Sequence, residues 1–406
     1  MATLDSTVGT STTTWFSGNP YQRDAFYAVG RFWVFYSDGT NFGWRTSTDG
    51  AAWSGFTIAR AGWNRGYLGS VWFDGTYVHY CFRLGAPSSV IYYRMGLCNA
   101  AGTITWQAVE QTVISMDGAH RSNDPAIAVD SNGYPWITYD YQTMATTNAV
   151  AYVTKSKTKN GTWTDEDILF AAPYQFSAST FEKAAAPHLW AAVVPLSGGE
   201  VYVMAQPGGG PIDETDIKGR LWNGSSWDSE ETVATPVDEI FGASFSPVVD
   251  SQDNIHLTYG DHHAASTNTD HYAVIRTYGS GWGSPVKIKD SAVYAQAVLS
   301  IDANDILYFF WENEPTVKHI YYRRYINGAW EAVTDWFTEG DVFANEYSSF
   351  LAVADKEYKG RIIFIYVTLT VSPFNVKMLA LEKGQLSGLG GKSPNMGNKL
   401  AGVGLI

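Results

Sequence analysis

Arg23, Arg83 and Arg121 each stand beside a strand-like apolar run. A guanidinium matches a carboxylate with two parallel hydrogen bonds, so such arginines form a clamp when they converge. The alternative is local pairing with Asp24, Asp38 or Asp124, which would only order a loop. Tyr347 follows Glu346 in NEYSSFLAV. A tyrosine acts as nucleophile or base when a carboxylate assists its deprotonation; at the start of a strand it also simply packs. Asp38, Asp140 and Glu312 close apolar runs. Two such carboxylates support glycoside hydrolysis, with their separation setting the outcome. Asp261, His262 and His263 offer proton transfer or metal binding, but neighbours on a strand point to opposite faces. A solvated loop accounts for them as well. Neither a phosphate-binding glycine loop nor a zinc-spaced cysteine pattern occurs, so no cofactor or metal is expected.

The elements that hold these residues repeat. The turn STDGAAW ends at Trp53, and shorter relatives end at Trp106, Trp163, Trp227, Trp282 and Trp330, every 48 to 64 residues. Upstream of most of them lies an apolar run, a polar turn and a second apolar run. DAFYAVGRFWVFYSD, PAIAVDSNGYPWITYDY and AVLSIDANDILYFFWEN are three of seven such pairs. Gly, Asp, Asn and Ser suit the hairpin turns, and Val, Ile, Tyr, Phe and Trp mark the flanks as strands. A repeat of this length must be read before single elements. Each unit supplies about four strands, and several strands are apolar on both faces. The expectation is an all-β chain, a seven-bladed β-propeller over residues 1–384, with six blades as the alternative.

The last unit lacks a Trp turn, so an N-terminal strand, read at TTTWF (12–16), is expected to close it and remove a free edge. The Gly-rich stretch 385–406 is read either as a flexible end or as a tail that docks on a neighbouring subunit. The start MATLDSTVGTSTTTW has no signal-peptide pattern. No run approaches the length of a membrane span, so membrane insertion is not expected. Lys plus Arg is 27 against 40 Asp plus Glu, a net charge of −13 that repels nucleic acid. Cys81 and Cys98 are read as two buried thiols rather than a disulfide framework.

STDGAAW resembles the Asp box of sialidases and other BNR-repeat proteins, in a shorter form. In that family the motif is structural and lies away from the catalytic face. The likeness covers most of the chain as repeats and is strongest in the first unit. YQRDAFYAVG resembles the segment carrying the first catalytic arginine, which implies Arg23, although the family's Arg-Ile-Pro is Arg-Asp-Ala here. NEYSSFLAV resembles the segment carrying the nucleophilic tyrosine, which implies Tyr347, with Glu346 beside it. The loop holding the family's acid/base aspartate has no match.

Arg23, Arg83, Arg121, Asp140, His262 and Glu312 are therefore read as a substrate-binding ring around one mouth. Tyr347, Asp38 and Glu346 are its catalytic candidates. Trp63, Tyr174 and Phe343 are read as sugar-stacking aromatics or as packing between blades. The leading expectation is a non-catalytic surface, extracellular or virion protein that binds a glycan or a protein partner. The alternative is a sialidase-type glycoside hydrolase or a polysaccharide lyase.

Overall fold

A computed structural model describes the chain except for residues 1–2, 85–89, 108, 117–119, 123, 144–147, 164–173, 178–180, 183–187, 209–215, 237–238, 263–267, 294–296, 314–318, 340–351, 369–371 and 383–406. Seven antiparallel sheets make seven blades. In blade 1 the order is Ala25–Ala28, Arg31–Ser37, Asn41–Ser47 and Thr57–Ala61. The first strands of blades 2 to 7 pack against one another and form the inner ring. Burial on both faces follows from blade-on-blade stacking. Phe32 to Ser37 of the second strand of blade 1, and Ile362 to Thr368 in that of blade 7, are buried without alternation.

Blade 7 combines Ala352–Val353, Arg361–Thr368 and Phe374–Glu382 with Thr3–Ser11 as its outer strand. The N-terminus thus closes the ring, but with residues 3–11 rather than 12–16. The reason is burial. An outer strand is half exposed and suits the Thr- and Ser-rich TLDSTVGTS, whereas the aromatics of TTTWF turn inward, with Phe16 fully buried.

From there the chain crosses the axis. Gly66 lets it pass: a Cβ at that position would lie 2.1 Å from the Ser17 carbonyl carbon. Tyr21 packs edge-on to Phe245 of blade 5 at 5.7 Å. Gln22 donates to the carbonyls of Tyr67 and Pro125 at 3.1 and 2.9 Å, joining blades 2 and 3. Residues 19–23 therefore plug the inner ring from within.

The turn at 47–53 shows why an acid precedes a tryptophan. Asp49 Oδ1 accepts from the Ala51 and Ala52 N–H groups and from the Ser47 hydroxyl, while Gly50 takes positive φ. These donors hold the Asp49 carboxyl down at about 2. The tightened turn delivers Trp53 onto the closing strand, where its indole donates to Ser6 Oγ at 3.1 Å. Asp49→Ala is expected to lower the melting temperature at neutral pH. Because the carboxyl is depressed, the difference should fade as pH falls from about 4 towards 2, which melts recorded across that range would show.

At this same end, in the turns between the first and second strands of blades 5, 6 and 7, acids latch each blade to the preceding one. Asp253 Oδ1 accepts from Ser197 N at 3.0 Å, Asp305 Oδ1 from Ser251 N at 2.9 Å, and Glu357 Oε2 from Ala303 N at 3.5 Å. Cys81 and Cys98 are buried and free, and Cys81 pairs in register with Tyr93 rather than Cys98.

Candidate functional site

Strands alternate in direction, so the starts of first strands and the ends of second strands share one mouth. Blades 1 to 4 bring a polar cluster there. Asp24 and Asp124 precede the first strands of blades 1 and 3. Arg83 and Asp140 lie near the ends of the second strands of blades 2 and 3. Arg121 pairs in register with Gln142 on the second strand of blade 3.

Part of this cluster is internally paired. Asp140 accepts from Ser122 Oγ at 3.1 Å and from the Gln142 amide, and Gln142 Oε1 accepts from Arg121 Nε at 2.8 Å. The rest is open. Asp124 Oδ1, Arg83 Nε and both amide atoms of Gln206 are buried without a hydrogen-bond partner among the described residues. They are linked: Asp124 feels the Arg83 charge and is hydrogen-bonded by Trp190, which sits opposite Gln206 across the blade 4 hairpin.

Two carboxyls are pushed far up. Burial raises Asp124 to about 8, with the neighbouring Asp140 charge adding to the rise and Arg83, Asn19 and Trp190 opposing it. Burial also raises Asp24 to about 8, against the Gly18 N–H that donates to its Oδ2 at 2.7 Å. Raised this far, each carboxyl keeps its proton well above the usual carboxylate range and then presents a donor as well as an acceptor.

The residues read from sequence divide. Arg83, Arg121 and Asp140 enter this cluster. Arg23 does not join it as a clamp. Its guanidinium runs along the axis, donates to the carbonyls of Pro20 and Pro247, and is lowered to about 10 by burial, with Asp355 and Tyr358 opposing. It lines a cavity of about 380 Å³ towards the hairpin-turn face, beside Asp250, Asp302 and Asp355. Asp38 caps its own turn: Oδ1 accepts from Thr40 N and Asn41 N at 2.8 and 2.7 Å. His262 and Glu312 lie on the second strands of blades 5 and 6, opposite Thr269 and Ile320. Tyr347, Glu346, Phe343 and residues 385–406 lie outside the described residues.

Trp63 is no sugar platform. It is fully buried and stacks on Phe42 at 3.8 Å. Tyr174 stacks on Trp227 at 4.9 Å. Sequence reasoning passed over Gln206 and Trp190 as binding groups, since a single such residue inside an apolar run carries no periodic signal. It also passed over a spacing that was visible: an Asp six residues before a ring, at Asp130–Trp136, Asp250–His256 and Asp302–Tyr308, each joined by a hydrogen bond.

A polysaccharide lyase, Uly1, is 10% identical, with 89% of each chain covered and a TM-score of 0.55. The chain shares its fold with that lyase. The SapL1 lectin in complex with alpha methyl fucoside is 13% identical, covering 80% of this chain and 99% of that one at a TM-score of 0.45. An alpha-L-arabinanase of Penicillium chrysogenum is 9% identical, covering 75% and 90% at 0.44. At these identities the likeness is one of fold. No protein-family model and no curated protein sequence matches the chain.

Proposed function

We propose that this chain is a non-catalytic β-propeller of the Asp-box kind that holds a glycan at the loop end of blades 1 to 4. Its setting would be an extracellular, cell-surface or virion assembly, with residues 385–406 docking on a neighbouring subunit. The open hydrogen-bonding capacity of Asp124, Arg83 and Gln206 carries the reading. Buried donors and acceptors without partners cost about 1–3 kcal/mol each. Sugar hydroxyls both donate and accept, so one ligand class serves a guanidinium, a neutral carboxyl and an amide together. The fold shared with a polysaccharide lyase supports the same ligand class. Binding is favoured over catalysis because Asp38 is taken up by its turn, Arg121 and Asp140 by Gln142, and Arg23 by backbone carbonyls.

A glycan array probed with the wild-type chain and Arg83→Ala tests this. Retention of a glycan, weakened about tenfold or more in the variant, is the expected result; a blank array for the wild type rejects it. One observation favours a second, enzymatic reading: a protonated Asp124 beside Asp140 has the form of an acid paired with a carboxylate. The chain is expected to release nothing from a fluorogenic sialoside and to form no unsaturated product from acidic polysaccharides. Turnover lost in Tyr347→Phe or Asp124→Asn would make it an enzyme.

A further inference from the structure

The turn tryptophans of blades 4 and 5 pack on the preceding blade. Trp227 of blade 4 lies 6.1 Å from Trp136 of blade 3. Trp282 of blade 5 lies 5.7 Å from Tyr202 of blade 4 and donates to its hydroxyl at 2.7 Å. Trp330 of blade 6 departs from this pattern. Among the described residues its ring contacts are Phe309 at 6.3 Å and Tyr325 at 5.2 Å, both in its own blade.

The cause lies in blade 5. The position that carries Trp136 in blade 3, six residues after its turn aspartate, carries His256 there. A smaller ring stands where an aromatic would receive the next tryptophan. A cavity of about 550 Å³ opens in the cleft, lined by His256, Leu257, Arg323, Tyr325 and Trp330 among others.

His256 is only 7% exposed. Its Nε2 is 2.9 Å from Asp250 Oδ2. In the tautomer whose Nε2–H donates to the Asp250 carboxylate, Nδ1 is the ring's acceptor. Nδ1 is buried and has no partner among the described residues. The space is far larger than one water needs. Blade 2 carries His79 at the matching place, but there both ring nitrogens are engaged, by Asp74 and Tyr93, whereas the His256 Nδ1 is left unmet.

We propose that the cleft between blades 5 and 6 binds a neutral saccharide, with one hydroxyl donating to His256 Nδ1 and the C–H face of the ring resting on Trp330. The lining supports that chemistry, with Leu257, Leu299, Leu307 and two aromatic rings beside the polar Thr277 and Ser284, while the Lys287 ammonium is taken up by Asp270 at 2.6 Å. Arg323 does not call for an anion, because its Nε donates to the Glu331 carbonyl at 2.8 Å and its Nη1 to that of Ile288. The site is separate from the loop-end cluster and stands or falls without it.

Saturation-transfer NMR with methyl glycosides of neutral hexoses, 6-deoxyhexoses and pentoses, each added singly, tests the site. The wild-type chain should bind at least one. His256→Tyr, which refills the cleft in the manner of Tyr202, should weaken that binding about tenfold or more while melting as high as the wild type. Trp330→Ala should lose it as well, and Arg83→Ala should keep it. The proposal is overturned if no glycoside binds, if His256→Tyr binds as tightly as the wild type, or if Arg83→Ala alone abolishes binding.

Discussion

Deletion of residues 1–11 is expected to leave no soluble folded monomer. Thr3–Ser11 pairs with Phe374 to Leu381 of the neighbouring strand, from Thr3 opposite Leu381 to Ser11 opposite Phe374. Val8 is buried in the core shared by blades 1 and 7. Trp336 of blade 6 donates to Thr3 Oγ1 at 2.9 Å, and Trp53 and the Gly50 carbonyl of blade 1 both meet Ser6 Oγ. One strand therefore fastens three blades. Without it the apolar Phe374–Glu382 becomes an open sheet edge, which pairs readily with other chains. Gel filtration and a thermal melt check this. A monomeric variant melting within a few degrees of the full chain would show that the seam is dispensable.

The second large effect concerns pH. Asp24 and Asp124 both stand at about 8 in the folded chain, against about 4 when unfolded. For a carboxyl raised by folding, the native state holds its proton longer. Stability is therefore full below the unfolded value and declines as pH rises through the folded one. The loss should begin above about pH 4 and be complete above about pH 8. Each unit is worth about 1.4 kcal/mol, so ionising both groups costs on the order of several kcal/mol. Urea midpoints of the wild type should fall between pH 5 and 9. Those of the Asp24→Asn, Asp124→Asn double variant should stay nearly level and exceed the wild type at pH 9. Parallel curves for the two proteins would refute the assignment. Asp250 works in the opposite sense. Its carboxyl is held at about 2, its burial outweighed by the bonds from His256 and Asn254, and its contribution fades below pH 4.

The blade count was legible in the chain because a Trp turn and an apolar hairpin recur together, and blade stacking forces both strand faces to be apolar. The closing strand was misplaced by a few residues. β-Propensity favoured the aromatics of 12–16, whereas an outer edge selects for Thr and Ser. The site was legible only in part. Arg83, Arg121 and Asp140 stood out as charges at strand ends, and the structure gathers them. Arg23 stood out in the same way and goes elsewhere, because sequence gives the end of a strand and not the direction of a long side chain. His256 was invisible as a departure until Trp136, Tyr202 and Tyr308 were seen to occupy matching places.

The crossing of the axis by residues 19–23 also bears on the order of assembly. The closing strand and the plug leave the ribosome before every blade they touch. Tyr21 must wait for Phe245, and Thr3 for Leu381. During synthesis this segment stays unseated while six blades form, and it is fixed only when the blade 7 hairpin emerges. A chain halted before residue 374 has no partner for its own beginning. Premature termination should therefore yield a species whose first strand is open to protease, even where the preceding blades have already folded.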